Sequence, residues 1–166
     1  MAVGSDSPFD LEALNSIFRE LVPHNRALGM SLVQATQAPA VAVLRLPYDE
    51  RFVGNPETGV LHGGVITTLI DATCGASVYF KLGAPTPIAT LDLRIDYLKP
   101  ATPRQAVHAR AECFKATHNV AFVRAIAYHE SEDDPIAAAS ATFMISTKGR
   151  SVTELEAHQV IKGGQP

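Results

Sequence analysis

Cysteine and clustered basic charge are scarce in this sequence. It has only two cysteines, Cys74 and Cys113, which lie far apart and form no C-x-x-C pair. We interpret both as reduced thiols in the core of a cytoplasmic protein. Lys and Arg number 14 against 17 Asp and Glu, which gives a net charge of −3. Because no basic stripe is present, the composition argues against a nucleic-acid-binding protein.

The motifs of several common protein classes are also missing. Residues 1–14 have neither the basic nor the apolar region of a signal peptide. The longest apolar segment is interrupted by Thr67, Thr68, Asp71 and Thr73, which argues against a membrane span. The histidines form no H-x-H or H-E-x-x-H pattern, so a metal site is not expected. The sequence also lacks the G-x-S-x-G elbow of serine hydrolases and the G-K-[ST] of P-loops.

What is present is the composition of one ordinary globular domain. Of the 166 residues, 46% are hydrophobic and 19% are charged. A chain of this length and composition can bury a sizeable core and is too apolar to be disordered. We expect a single domain with its core over residues 9–147 and with tails at 1–8 and 148–166.

Hydrophobic periodicity predicts the element order α-β-β-α-β-β-β-β. The predicted helices and strands are, in chain order, a helix at 9–22, strands at 31–35 and 41–46, a central helix within 61–82, strands at 88–98, 105–116, 119–129 and 136–146, and a short helix near 152–161. One apolar helix against a mainly antiparallel sheet indicates an α+β fold in which the sheet curls around the helix. The edge strands of such a sheet need cover, which predicts a dimer with a continuous sheet.

The strand predicted at 88–98 alternates with a period of two, which indicates that one face packs on the core. One face holds Ala89, Leu91, Leu93, Ile95 and Tyr97. The other face holds Ile88, Thr90, Asp92, Arg94 and Asp96. We expect Asp92 and Arg94 to form an exposed or interface charge pair.

The central helix contains the residues that point to chemistry. Its apolar residues appear on every side of a helical projection, which predicts a buried helix. Gly63 and Gly64 at its start leave backbone N–H groups bare at the positive end of the helix dipole, where they could bind a carbonyl oxygen that becomes negative. Asp71 is the only charge between Gly63 and Phe80. A buried carboxylate needs a partner or a function.

Asp71 follows Gly63 by about two helical turns, roughly 11–14 Å along the axis. That is too far for both to act on one carbonyl, unless a second subunit brings another helix start close. The loop over 48–59 adds Asn55 and Glu57 as polar groups near the helix, and the following strand adds Thr90. We interpret Glu57 as a solvated charge.

These residues resemble a known family. His62-Gly63-Gly64, with Asp71 nine residues after the histidine and Gly75 beyond it, is similar to the hotdog-fold acyl-CoA thioesterases of the phenylacetate-pathway (PaaI-like) type. The similarity includes Gly59-Val60-Leu61 and the strand that begins at Thr90 and ends in Tyr-x-x-Pro-Ala, and it extends to about Thr147. It implies a hotdog fold and the hydrolysis of an acyl-CoA thioester to a free acid and CoA.

The resemblance also implies roles for particular residues. Asp71 would be the catalytic carboxylate, as nucleophile or as general base. The Gly63 N–H would polarise the thioester carbonyl. Asn55 would contact the acyl carbonyl or the water, although it stands one residue further from the histidine than in some members. Thr90 would orient the water.

His62 and Gly64 would belong to the substrate-binding part of the site. No cofactor is implied beyond the CoA of the substrate, for which acyl-carrier protein is an alternative. The family's sites use two subunits of a homodimer, and its dimers commonly pair into tetramers. Two alternatives stay open at this point. One is a hydratase or dehydratase of the same fold, and the other is a non-catalytic acyl-CoA binding or sensing module.

Overall fold

The computed structural model describes residues 9–84 and 86–145. The predicted tails at 1–8 and 148–166 and the short helix near 152–161 lie outside the described residues. The helices are α1 (Leu11–Leu21), α2 (Pro23–Ala27) and α3 (Gly63–Leu82). The strands are β1 (Ser31–Gln37), β2 (Ala40–Leu46), β3 (Val53–Asn55), β4 (Val60–Leu61), β5 (Ile88–Tyr97), β6 (Val107–Ala116), β7 (Val120–Tyr128) and β8 (Ala137–Ile145).

Six strands form one antiparallel sheet in the order β1-β2-β6-β7-β8-β5, and β3 pairs separately with β4. The sheet wraps around α3, as the sequence predicts for a hotdog fold. Small side chains on the inner face of β6, β7 and β8 let the helix approach closely. These buried residues include Ala109, Ala111, Ala121, Ala125, Ala127, Ala137, Ala139 and Ala141.

The central helix α3 is capped at both ends and has one buried side. His62 caps its start, and Gly83 ends it in the left-handed conformation with φ 64°. The buried side chains are Ile66, Leu69, Ile70, Thr73, Cys74, Ala76, Ser77 and Val78. By length and composition alone, α3 could cross a membrane. The core helix of a globular protein meets the same two criteria. The expectation of a helix buried all round is wrong, because Tyr79 is 43% exposed and Asp71 is only half-buried.

Strand β5 departs from the predicted alternation. Thr90 pairs with Phe143 and Asp92 with Thr142, so Leu91 is an extra residue in the ladder, a β-bulge. Leu91 is accordingly 56% exposed. The bulge exchanges the two faces of the strand along its length. Ile88 before the bulge and Leu93 and Ile95 after it all pack against the core.

The exchange of faces brings two hydroxyl groups to the same helix. Thr90 lies before the bulge and Tyr97 after it, at positions that a regular strand would place on opposite faces. In the structure Thr90 contacts Asp71 of α3, and Tyr97 contacts Gly63 and Thr67 of α3. The bulge therefore shapes the site as well as the strand.

Three smaller features also differ from the sequence expectations. The predicted loop at 48–59 contains a short 3-10 helix, Glu50–Phe52, and the strand β3. Pro23 ends the first helix as expected, but it also begins α2, because proline suits the first position of a helix. Arg94 pairs with Asp96 at 3.1 Å, and not with Asp92 as expected.

The first helix covers the β1 edge of the sheet. Asp10 caps α1 by accepting hydrogen bonds from two backbone N–H groups. From α1, the Asn15 amide donates to the Leu32 carbonyl at 2.8 Å and accepts from the Leu32 N–H at 2.7 Å. The Asn15 side chain thus takes the place that a neighbouring strand would occupy, which protects this edge against pairing with another chain.

Replacing Asn15 with Ala is expected to lower the free energy of unfolding by about 1–3 kcal/mol, because both backbone groups of Leu32 lose their partner. Urea denaturation measures the change. Ser16→Ala on the exposed side of the same helix is the matched control, with an expected change within about 0.5 kcal/mol. Equal stabilities of the two variants would contradict the role given to Asn15.

Candidate active site

Asp71 lies on α3 at the half-buried side that faces β5. Its Oδ1 accepts a hydrogen bond of 2.9 Å from the Thr90 hydroxyl. Its Oδ2 accepts from no other residue in the described part of the chain. The carboxylate is therefore oriented through one oxygen while the other is left for a ligand or for water. Thr90 contacts Asp71 directly.

The start of α3 is partly capped. His62 Nδ1 accepts a 2.9 Å hydrogen bond from the Gly64 N–H, so the neutral ring carries its proton on Nε2. The Val65 N–H donates to the His62 carbonyl at 3.0 Å. The Gly63 N–H donates to no residue within 9–84 and 86–145. The expectation that both glycines leave bare N–H groups is thus wrong for Gly64, because the His62 ring folds back over it.

The Gly63 carbonyl has partners that the sequence reasoning missed. The Tyr97 hydroxyl donates to it at 2.6 Å, and the Thr67 hydroxyl donates to it at 3.2 Å. The two hydroxyl oxygens lie 2.9 Å apart. The available signal was the tyrosine of the Tyr-x-x-Pro-Ala segment, which the alternation of β5 assigned to the core.

Asn55 ends β3, beside the start of the helix. Its Oδ1 accepts from the Glu57 N–H at 3.0 Å, and its amide Nδ2 donates to none of the described residues. The chain runs close to His62 here, because a Cβ on Gly54 would lie 2.9 Å from the His62 Cα. The His62 N–H also donates to the Phe52 carbonyl at 2.8 Å. The β3–β4 pair therefore holds Asn55 and His62 in one neighbourhood.

The predicted site residues fall into two groups within one chain. Thr90 and Asp71 form one group, and Asn55, His62 and the glycine pair form the other. Asp71 follows Gly63 by eight residues of one helix, which is about 12 Å along the axis. One chain thus keeps the carboxylate and the free N–H apart, as the sequence predicts.

A cavity of about 370 Å³ lies beside the helix start. Its lining includes Val60, Leu61, Gly63, Ile66, Tyr97, Leu98, Lys99, Pro100 and Ala101. The walls are mostly apolar, and the one charged lining residue, Lys99, pairs with Asp134. The volume falls in the range of small-molecule sites. Within the described residues no cluster of His, Cys, Asp and Glu could hold a metal ion.

The cysteine next to the site is not a nucleophile. Burial raises the pKa of the Cys74 thiol far above its usual range, and the negative charge of Asp71 raises that pKa further. Cys113 is also buried, and burial likewise raises its pKa. Since the thiolate is the reactive form of cysteine, both side chains stay unreactive in the folded protein.

A six-stranded antiparallel sheet curled around one long central helix is the hotdog architecture. Comparison with known proteins agrees with this class. The sequence profile of the thioesterase superfamily matches residues 58–136. The medium/long-chain acyl-CoA thioesterase YigI of Escherichia coli K12 is 32% identical over 148 residues, which cover 81% of this chain and 93% of that protein. The chain belongs to the thioesterase superfamily and is a thioester hydrolase.

Solved structures share the fold. A crystal structure of a protein from Pseudomonas aeruginosa has 43% sequence identity and a TM-score of 0.72, covering 82% of this chain and 98% of the other. The phenylacetic acid degradation protein PaaI of Thermus thermophilus, in a mutant form, has 22% identity and a TM-score of 0.65, covering 75% of this chain and 100% of the other. The hotdog fold expected from the sequence is confirmed.

Proposed function

We propose that this protein hydrolyses acyl-CoA thioesters to a free acid and CoA, with Asp71 as the catalytic carboxylate. The observation that carries the proposal is the state of Asp71. It is a half-buried carboxylate on the central helix, held through Oδ1 by Thr90 and free at Oδ2. The activity named for the 32% identical Escherichia coli relative supports the substrate class.

The proposed site is completed by a second copy of the chain. The two edges of the six-stranded sheet differ, since β1 is covered by Asn15 whereas β5 pairs only with β8 among the described strands. Leu91 and Leu98 at this open edge are 56% and 57% exposed. A partner that pairs along β5 would cover these side chains and bring its own helix start towards Asp71. Pairing of such dimers into tetramers stays a prediction.

The two subunits would then contribute different groups to one site. Gly63 of the partner subunit would donate its free N–H to the thioester oxygen, where negative charge develops. Asn55, with its amide Nδ2 unpaired, would contact the acyl carbonyl or the water. Thr90 would hold Asp71 in place. His62 and Gly64 would shape the binding surface, since the Gly64 N–H is already bonded to His62.

Two chemical routes fit the free Oδ2 of Asp71. As a general base, it would take a proton from a water that attacks the thioester carbon, and CoA would leave as the thiol after taking up that proton. As a nucleophile, it would attack the carbon itself and release CoA, and water would then hydrolyse the mixed anhydride. In both routes the developing oxyanion needs the N–H donor.

The preferred acyl group is proposed to be medium to long and aliphatic. The name of the Escherichia coli relative gives this range for that protein. The cavity beside Gly63 has mostly apolar walls, which favour a hydrocarbon chain over a polar acid. The buried free thiols Cys74 and Cys113 agree with a reducing compartment, and we propose that the protein acts in the cytoplasm.

A panel of acyl-CoA esters tests the proposal. Free thiol release would be followed with acetyl, hexanoyl, decanoyl, palmitoyl and phenylacetyl esters, and thermal unfolding would be measured with each ester. The expected result is release that is fastest for the decanoyl or palmitoyl ester. Thermal stabilisation by an ester without any thiol release would contradict the proposal and favour a sensing module. Hydration of an enoyl ester without thiol release would favour a hydratase.

A further inference from the structure

We infer that Tyr97 is a positioning residue for the reaction, which fixes the peptide after Gly63 so that the free Gly63 N–H keeps one direction. This inference rests on the proposed function. It adds a residue to which the sequence pattern assigned only a place in the core. The inference rests on three observations. They are the hydrogen bonds at the two ends of one peptide, the short distances from a Cβ on Gly63 or Gly64 to neighbouring atoms, and the bulge in β5.

The peptide that joins Gly63 to Gly64 is held at both ends. Its carbonyl accepts the 2.6 Å hydrogen bond from Tyr97, and its N–H donates the 2.9 Å hydrogen bond to His62 Nδ1. The Thr67 hydroxyl, 2.9 Å from the Tyr97 oxygen, completes the contacts on the carbonyl side. The neighbouring Gly63 N–H is the only donor at this turn with no partner among the described residues.

Such a clamp matters because glycine is the least restrained residue. With no Cβ, the backbone around Gly63 could turn through many conformations, and the direction of its N–H would vary with them. A donor that stabilises an oxyanion must already point at the developing charge before reaction. The peptide that carries this N–H is held at its carbonyl by the Val65 N–H. The bonds from Tyr97 and His62 hold the next peptide and so restrain the rotation of Gly63 between the two.

The same contacts leave little room for a side chain at Gly64 and only tight room at Gly63. A Cβ on Gly63 would lie 3.3 Å from the Tyr97 hydroxyl oxygen, tighter than an ordinary contact. A Cβ on Gly64 would lie 2.9 Å from His62 Nδ1, too close for any real side chain. The glycine pair therefore makes room for the two groups that hold the peptide.

Tyr97 is itself held in place from outside the helix. Tyr97 follows Leu93 and Ile95 on the inner face of β5, and the bulge at Leu91 brings Thr90 to that same face. Directly after it, the Leu98 N–H donates to the Ile136 carbonyl at 2.8 Å. The ring also lines the cavity beside Gly63, so Tyr97 connects the wall of that cavity to the helix start. The Tyr97 hydroxyl is therefore held where it can restrain the Gly63 carbonyl.

Tyr97→Phe tests the inference, because it removes the hydroxyl and keeps the ring. With the best ester of the panel, kcat is expected to fall about tenfold while KM changes less than about twofold, since only orientation in the transition state is lost. Tyr128→Phe is the matched control. Its ring stacks on His108, on the neighbouring strand β6, and it has no hydrogen bond to α3 among the described residues, so its kinetics are expected to match the wild type.

A double-mutant cycle with Gly63→Pro, which removes the N–H itself, separates positioning from stability. If Tyr97 acts through that N–H, then Tyr97→Phe is expected to cause no further loss of kcat in the Gly63→Pro background. An undiminished tenfold loss in that background, or wild-type kinetics of Tyr97→Phe alone, would overturn the inference and leave the proposed function intact. Absence of thiol release from the wild-type protein would instead overturn the proposed function.

Discussion

Replacing Asp71 with Asn is expected to lower kcat for thiol release by about 10²–10⁴-fold. An amide cannot take up the proton of water and is a poor nucleophile, so both routes lose their reactive group. The fold should persist, because the Asn oxygen can still accept the hydrogen bond that Thr90 donates to Oδ1. Single-ester kinetics and thermal unfolding of the same preparation measure the two effects.

Asp133→Asn provides the matched control for this loss. Asp133 is an exposed carboxylate in the turn between β7 and β8, outside the strand along which the partner would pair. The same chemical change there is expected to leave kcat unchanged. If Asp71→Asn kept more than about a tenth of the wild-type activity, Asp71 would not be the catalytic carboxylate, since a general base contributes more than this factor.

Replacing Gly63 with Pro is expected to lower kcat by about 10²–10³-fold, the cost of losing one oxyanion donor. The backbone is suited to this change. Gly63 is the first residue of α3, where proline is favoured. The preceding His62 has φ −63° and ψ 132°, in the extended region that a residue before proline prefers. The substitution therefore removes the N–H without breaking the helix.

Gly63→Ala separates the N–H from the added carbon. Alanine brings the same Cβ, 3.3 Å from the Tyr97 hydroxyl, but keeps the N–H. Its loss of kcat is expected to be at least about tenfold smaller than that of Gly63→Pro. Equal losses in the two variants would show that crowding against Tyr97, and not the missing donor, lowers the rate.

Much of the fold could be predicted from the sequence because its patterns are local. Buried Val107, Ala109, Ala111 and Cys113 recur with a period of two along β6, and the apolar run of α3 has no proline. The order of helices and strands along the chain and the central place of α3 follow from such patterns and the packing of layers. Asp71 stood out as the only charged residue between Gly63 and Phe80.

The features of the fold and the site that could not be predicted depend on contacts that the sequence pattern does not encode. The bulge at Leu91 leaves no mark in the alternating sequence of β5, so the placement of Thr90 on the same face as Tyr97 could not be foreseen. The cap that His62 forms on Gly64 depends on how its ring folds back over the helix start. Asp96, and not Asp92, pairs with Arg94, although both stand two residues from it.

Mixing two variants, each with little activity of its own, tests whether Asp71 of one subunit acts with Gly63 of its partner. One variant is Asp71→Asn and the other is Gly63→Pro. The equimolar variants would be unfolded together, refolded, and assayed for thiol release, with each variant treated alone as the control. In a hybrid dimer, one site would combine an intact Asp71 with an intact Gly63, and the other site would have neither.

We expect the mixture to regain about a quarter of wild-type activity, because about half of the dimers are hybrids and half of their sites are intact. Each variant refolded alone should show at most about a hundredth of wild-type activity. The contradicting result is a mixture that is no more active than the mean of the two separate variants, although mass spectrometry shows that hybrid dimers have formed. That result would mean that the carboxylate and the N–H donor do not act across the subunit interface.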